Sequence, residues 1–271
     1  MTIPAAQRSV DAFLGGRLRA VQPVAGHHRS GLEAVLLAAA LPPELAGDVV
    51  DLGGGVGVAG LCAAVRCPAV RAIIVERDGD LLDCAAAALA LPANQALAGR
   101  VRLVRVDIAA PERERIAAGL ARGAAAAVIT NPPFHEAGGV RQSPAAGRAA
   151  AHVLDFPLGD WFRVAASGLM AGGTLVAVLP AAALAAGLAA LSGRFGGVAV
   201  LPVHPREGRA ASRILLRAAK GSRAPLALLP GLVLHGPTGN AFLPPVAALL
   251  AGEAGLGDIH PAWLPAAGSP S

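Results

Sequence analysis

Asp48-Val-Val-Asp51-Leu-Gly53-Gly54-Gly55-Val-Gly57 is a short apolar run that passes directly into a glycine-rich turn, and the stretch after it, Val58-Ala-Gly-Leu-Cys-Ala-Ala-Val-Arg66, reads as helix. Glycines at such a turn let the backbone approach a ligand closely and take positive φ where a side chain would clash. The next apolar run, Arg71-Ala-Ile-Ile-Val-Glu76, ends in a carboxylate, the position from which an acid grips ribose hydroxyls in nucleotide-binding α/β folds. On both sides of this stretch the periodicity keeps alternating between strand and helix. It predicts strands at 48–53, 71–76, 101–106, 125–130, 174–179, 198–203 and 213–218, and helices at about 32–41, 57–66, 79–91, 159–170 and 181–193. The pattern is that of an α/β, doubly wound domain with seven strands.

The acid ahead of the glycines sets the frame of the turn. Gly55-Val-Gly57-Val-Ala-Gly60 matches the G-x-G-x-x-G dinucleotide pattern letter for letter, which brings a nicotinamide enzyme into consideration. The strand stops at Gly53, however, and this makes Asp51-x-Gly53-x-Gly55-x-Gly57 the natural register, with a carboxylate inside the strand end. S-adenosylmethionine (SAM) carries no pyrophosphate, and its ammonium and sulfonium groups favour nearby carboxylates over a bare helix N-terminus. The frame therefore points to SAM as cofactor. Val101-Arg-Leu-Val-Arg-Val106 is followed by Asp107, a third acid at a strand end. It can accept from the adenine amino group of that cofactor, or merely cap the next segment.

Ala124-Ala-Ala-Ala-Val-Ile-Thr130 runs into Asn131-Pro132-Pro133-Phe134, a rigid polar turn at the edge where open α/β sheets bind ligands. Two consecutive prolines remove two backbone donors and keep the Asn131 and Pro132 carbonyls out of a ladder. An amide, a free carbonyl and an aromatic face then suit a planar group carrying an NH2, whose two hydrogens find acceptors while its ring stacks. The alternative is an ordinary proline-rich loop after a strand.

With 271 residues, 54% of them hydrophobic, and no long polar tract, the chain can bury a sizeable core as one domain. No stretch approaches the length of a membrane span, and Met1-Thr-Ile-Pro-Ala-Ala-Gln-Arg-Ser lacks a charged start followed by an apolar core, so the expectation is a cytoplasmic protein. Cys62, Cys67 and Cys84 lack paired spacing and fall in alanine-rich helical stretches, which predicts buried thiols and no metal site. The net charge of +5 and the pI near 10.3 make a polyanion a reasonable partner. Arg141, Arg148, Arg206, Arg209, Arg213, Arg217, Lys220 and Arg223 follow the Pro-Pro turn or lie in the C-terminal third. They form a phosphate-contacting margin if their loops share the rim of the crevice, and a solvated basic surface if not. The stretch after about 255, with Pro261, Pro265 and Pro270, reads as a frayed tail.

The order of Asp51-x-Gly53-x-Gly55-x-Gly57, Glu76, Asp107 and Asn131-Pro-Pro-Phe134 resembles the class I SAM-dependent methyltransferases that modify exocyclic or amide nitrogens. Asp11-Ala-Phe-Leu-Gly-Gly-Arg, Gln22-Pro23, Gly26-His-His-Arg29-Ser-Gly31-Leu-Glu33, Pro202-Val-His-Pro-Arg206 and Lys220-Gly-Ser-Arg223 resemble more closely the bacterial tRNA1(Val) adenine-N6 methyltransferase family, from about residue 10 to 250. That resemblance implies a seven-stranded Rossmann-like methyltransferase sheet with its last strand antiparallel. It implies an N-terminal segment, 1–45, that covers the cofactor around Gln22, Arg29 and Gly31; a methyltransferase domain, 46–255; and a flexible tail, 256–271. It further implies cofactor contacts from Asp51, Gly53, Gly55, Gly57, Glu76, Asp107 and Asn131, and catalysis by Asn131, Pro132 and Phe134. The acceptor is then an adenine amino group in tRNA next to the anticodon, and the enzyme a monomer. Glu33 stands where many relatives carry Asp. Glutamine methyltransferases of release factors and guanine-N2 methyltransferases of ribosomal RNA share the tetrad, and a catalytically silent nucleic-acid-binding module is the remaining alternative.

Overall fold

A computed structural model describes residues 3–27, 29–133 and 156–264. Its central unit repeats strand, turn and helix: β3 (Gly47–Leu52), α2 (Val58–Arg66), β4 (Val70–Glu76), α3 (Gly79–Leu89), β5 (Val101–Arg105), α4 (Glu112–Ala117) and β6 (Ala125–Thr130). It continues through α5 (Leu158–Gly168), β7 (Leu169–Pro180), α6 (Leu184–Leu191), β8 (Phe195–Arg206) and β9 (Arg213–Lys220). The strands pair in the order β8-β9-β7-β6-β3-β4-β5. All of these neighbours are parallel except β9, which runs antiparallel to both β7 and β8. The chain thus forms a doubly wound Rossmann-like sheet whose last core strand is reversed. Continuous apolar runs are what such strands require, since helices cover both faces; all six residues of β6 are buried. One core packs β3, β4 and β6 against α1 (Leu32–Ala39), α2 and α3, and the other packs the opposite face against α5 and α6.

Several elements exceed the seven-strand expectation. β1 (Arg8–Phe13) and β2 (Leu18–Pro23) form an antiparallel hairpin within the N-terminal segment. The Gly15-Gly16 pair, with φ of +63° and +90°, supplies the reversed backbone at its tip. Two short strands, β10 (Ala227–Leu228) and β11 (Leu232–His235), add in parallel to β8, so nine strands share the sheet among the described residues. β7 starts at Leu169, earlier than its apolar run suggests, because α5 stops at Gly168 and the chain turns straight into the sheet.

The stretch after 255 is folded as far as Leu264, contrary to a frayed tail. α7 (Pro244–Ala251) leads into α8 (Leu256–Ile259), and Trp263 is fully buried with its Nε1 donating to the Ala40 carbonyl at 2.9 Å. Of the prolines that suggest fraying, Pro261 begins a 3-10 turn, while Pro265 and Pro270 lie outside the described residues. No helix among the described residues is long and apolar enough to cross a membrane.

Candidate active site

The sheet reverses its winding between β3 and β6: from β3 the chain moves outward through β4 to β5, then returns to lay β6 on the other side of β3. Ligands bind outside the carboxyl ends of strands at such a switch point. Asp51, Glu76, Asp107 and Asn131 all lie at the carboxyl ends of β3, β4, β5 and β6, four adjacent strands.

Gly53, Gly55 and Gly57 all have positive φ, at +73°, +58° and +81°. The Gly53 and Gly54 N–H groups donate to the Val75 carbonyl at 2.9 and 3.0 Å, which holds the turn against β4. At Gly57 a Cβ would come within 2.4 Å of Ile74 Cδ1, so a side chain there would have to displace the end of Ile74 as well as adopt a left-handed φ. At Gly55 a Cβ would meet nothing within 4 Å, which marks the open side of the turn.

Asp51 is 2% exposed, and its Oδ2 accepts from the Gly60 N–H in the first turn of α2 at 2.8 Å. Burial pushes its carboxyl up to about 7; the Gly60 bond opposes that rise and the neighbouring Glu76 charge adds to it. Glu76 is held by three backbone donors. Its Oε2 accepts from Gly55 N at 3.0 Å, and its Oε1 from Arg77 N at 2.8 Å and Asp78 N at 2.9 Å. One carboxylate therefore orients the glycine turn and the loop after β4 together. Asp107 is more exposed; its Oδ1 accepts from Ala109 N at 2.8 Å, the local cap, while Oδ2 lies 3.5 Å from Arg77 Nη1. These residues fit SAM: an open glycine turn, a buried carboxylate close to it to complement positive charge, and an oriented acid at the next strand end.

Asn131 is exposed, Pro132 buried and Pro133 exposed, and no described residue takes up the Asn131 amide. Phe134 lies outside the described residues, as do Arg141 and Arg148. The residue ahead of the turn is one that sequence reading passed over. Thr130 is fully buried; its hydroxyl donates to the Leu52 carbonyl at 2.8 Å and accepts from Trp161 Nε1 at 2.9 Å. The same indole lies so close to the glycine turn that a Cβ at Gly53 would be 2.7 Å from Trp161 Cζ2. Thr130 and Trp161 thus clamp the Asn131 turn to the glycine turn. The available signal was a hydroxyl closing an otherwise apolar strand, together with one of only two tryptophans.

Gln22 and Arg29 are engaged within the N-terminal lobe. Gln22 is 1% exposed; its Oε1 accepts from Ser30 N at 2.8 Å and its Nε2 donates to Asp11 Oδ2 at 2.8 Å. Arg29 donates to the Pro23 carbonyl at 2.7 Å, to Ser9 Oγ at 3.0 Å and to Asp11 Oδ2 at 2.6 Å. Asp11 is accordingly the hub that ties residues 29 and 30 to the hairpin. Gly31 sits at the N-cap of α1. His27 Nδ1 lies 3.9 Å from Asp78 Oδ2, so the segment reaches the loop that Glu76 orders. Glu33 faces Arg213, Oε1 to Nε at 3.4 Å.

The basic margin does not hold together as one surface. Because β9 runs backwards, Arg213 pairs with Pro180 at the carboxyl edge, beside the turn that carries Arg206 and Arg209, whereas Lys220 pairs with Phe195 at the opposite edge, which Arg223 follows. Arg217, between them, is 8% exposed with its guanidinium 6.0 Å from the Trp263 ring centroid. Lys220 Nζ donates to the Leu169 carbonyl at 2.6 Å.

Cys62, Cys67 and Cys84 are free, buried thiols. Among the described residues no three His, Cys, Asp or Glu side chains converge where they could hold a metal ion.

Residues 24–201 match the methyltransferase small domain family. No curated protein matches the chain. Among solved structures, a predicted O-methyltransferase, protein Atu636 from Agrobacterium tumefaciens, is 32% identical over 82% of this chain and 97% of its own, with a TM-score of 0.70. The fold is shared by two more distant structures. The 16S rRNA N2 G1207 methyltransferase (RsmC) of Thermus thermophilus, in complex with AdoMet and guanosine, is 21% identical over 79% of this chain and 50% of its own, TM-score 0.51. TYW2 of M. jannaschii, in complex with AdoMet, is 11% identical over 81% of this chain and 89% of its own, TM-score 0.55. The chain belongs to the methyltransferase small domain family and is a SAM-dependent methyltransferase.

Proposed function

We propose that the protein methylates the exocyclic amino group of an adenine in RNA, a tRNA adenine next to the anticodon being the acceptor that the tRNA1(Val) family resemblance implies. One observation carries the reading: the Asn131-Pro132-Pro133 turn ends β6 beside the glycine turn, with its amide untaken by any described residue and clamped in place through Thr130. An NH2 group presents two hydrogens, and the Asn131 side-chain oxygen and the Pro132 carbonyl are two acceptors.

SAM, when bound, supplies a methyl group on a positively charged sulfur. The adenine amino nitrogen is a poor nucleophile because its lone pair is delocalised into the ring. Acceptance of both its hydrogens favours a pyramidal nitrogen, with the lone pair freed from the ring, and stabilises the positive charge that grows there. Phe134 stacks the base once it has left its own stack. The proton lost after transfer goes to water, so no strong base is needed.

The Atu636 relative is named as an O-methyltransferase, which motivates a second reading. An O–H acceptor offers one hydrogen and leaves one of the two acceptors without a role, so the turn favours nitrogen. The test is transfer of label from SAM to total RNA taken from cells lacking the protein, followed by nucleoside analysis. N6-methyladenosine is the expected product; a 2′-O-methylated nucleoside, a methylguanosine or no labelled RNA overturns the reading.

A further inference from the structure

The outer end of the sheet holds an aromatic surface that neither the glycine turn nor the Asn131 turn uses. β11 ends at His235, and the chain returns so that Phe242 forms an isolated antiparallel bridge with it. Their rings stack with centroids 4.6 Å apart and planes inclined by 25°. Phe242 nevertheless keeps 39% of its surface in water, in a chain with six Phe and no Tyr. The ring is held rather than loose. His235 Nδ1 bonds the Ala241 carbonyl at 3.0 Å, and Arg206 donates to the Gly236 and Gly239 carbonyls and to Asn240 Oδ1, ordering the loop between the two rings. The β8–β9 turn next to it carries the exposed Arg209, with Glu207 as its one carboxylate.

Position gives this surface its meaning. β11 is parallel to β8, and β8 points the same way as β7 and β6, so Phe242 lies at the same carboxyl edge as Asn131. The order β6-β7-β9-β8-β11, with Phe242 bridged to β11, puts five interstrand steps between them, about 24 Å at ~4.8 Å per step. A strand of RNA laid along the edge spans that distance in a few nucleotides and passes Arg209 on the way, where a guanidinium suits phosphate.

We propose that the Phe242 ring, backed by His235, is a second stacking contact for a base of the single-stranded RNA substrate, a few nucleotides from the base that enters the Asn131 turn. The proposal rests on the RNA reading above. Stacking on an aromatic face is tolerant of sequence, so this contact adds affinity and direction without choosing the base.

The test is binding of a short fluorescent single-stranded RNA and, separately, of heparin, a polyanion without bases. Phe242→Ala and Phe242→Leu are each expected to weaken RNA binding about tenfold, the scale of one lost stack, while Phe242→Trp retains it and none of the three alters heparin binding. Leucine fills space against His235 without a π-face, so Leu binding RNA like the wild type reveals a packing role and overturns the proposal. Parallel loss of RNA and heparin, or no RNA binding by the wild type, overturns it as well. Transfer of label from SAM to RNA by the same proteins keeps the two claims apart. Labelled RNA without any Phe242 dependence of binding removes the docking surface and leaves the acceptor; Phe242-dependent binding without label does the reverse.

Discussion

Asn131 and Asp51 lie at the ends of adjacent strands, one exposed and one buried, and each leads to a different measurement. In the proposed mechanism the Asn131 oxygen matters most as the amino nitrogen becomes pyramidal, so Asn131→Ala should lower the single-turnover rate by about 10²–10³ with SAM affinity little changed. A near-normal rate at saturating RNA and SAM would make the turn structural. Asp51 predicts a pH dependence. Its carboxyl is pushed up to about 7, so the folded protein retains a proton there that the unfolded chain has already released. The contribution to stability is therefore fully present below the ordinary carboxylate range near 4, falls as pH rises toward 7, and is flat above. A cationic ligand favours the ionised form, so SAM affinity should rise with pH up to about 7 and level off, with proton release on binding. Calorimetry in buffers of different ionisation enthalpy reads that proton; a pH-independent affinity with no release would remove Asp51 from the cofactor's surroundings. Asp51, Glu76 and the glycine frame were legible because each lies within a few residues of its own turn. The buried state of Asp51 was not, since it depends on α2 closing over it.

Thr130 shows what an element contributes beyond its residues. The carboxyl ends of β3 and β6 are neighbours only because the chain has first gone out to β5 and returned, and the Thr130 hydroxyl bridges them while Trp161 of α5 completes the clamp. Thr130→Val keeps the shape and the β-branching but leaves buried polar groups short of a partner. Stability should fall by about 1–3 kcal/mol, read as a lower denaturant midpoint at unchanged slope. A change under about 0.5 kcal/mol, the level of an ordinary surface substitution, would show that water replaces the hydroxyl and that the clamp is not structural. The elements themselves were largely legible: the strands of the doubly wound core fall where apolar runs predicted them, with ends that move by a few residues. The β1–β2 hairpin carried a signal in Gly15-Gly16 between two alternating runs, yet its use as an anchor for residues 29 and 30 rests on Asp11, Gln22 and Arg29 meeting across the fold.

At the scale of the whole molecule, the C-terminal stretch closes the α1 face of the sheet. Trp263 is the largest fully buried side chain, and its indole N–H reaches the carbonyl of Ala40, far away in sequence. Trp263→Ala should cost about 3–5 kcal/mol, the range for emptying a large aromatic site, and thermal or urea unfolding measures it directly. A loss below about 1 kcal/mol would return residues 256–264 to the status of a frayed tail. Arg217 owes its state to the same closure: burial lowers its guanidinium pKa, and its ring neighbour is Trp263. Local chemistry along the chain sets the alternation of strands and helices, the glycine turn, the acids at successive strand ends and the rigid Asn-Pro-Pro turn. All of these are written in residues a few positions apart, where sterics and hydrophobic period act locally. Long-range assembly, by contrast, divides the basic residues between two edges, brings buried Gln22 and exposed Arg29 together on Asp11, joins two turns through Thr130 and packs the last helix. Each of these depends on strand direction or on contacts between distant segments, and burial and pairing arise only when those segments meet.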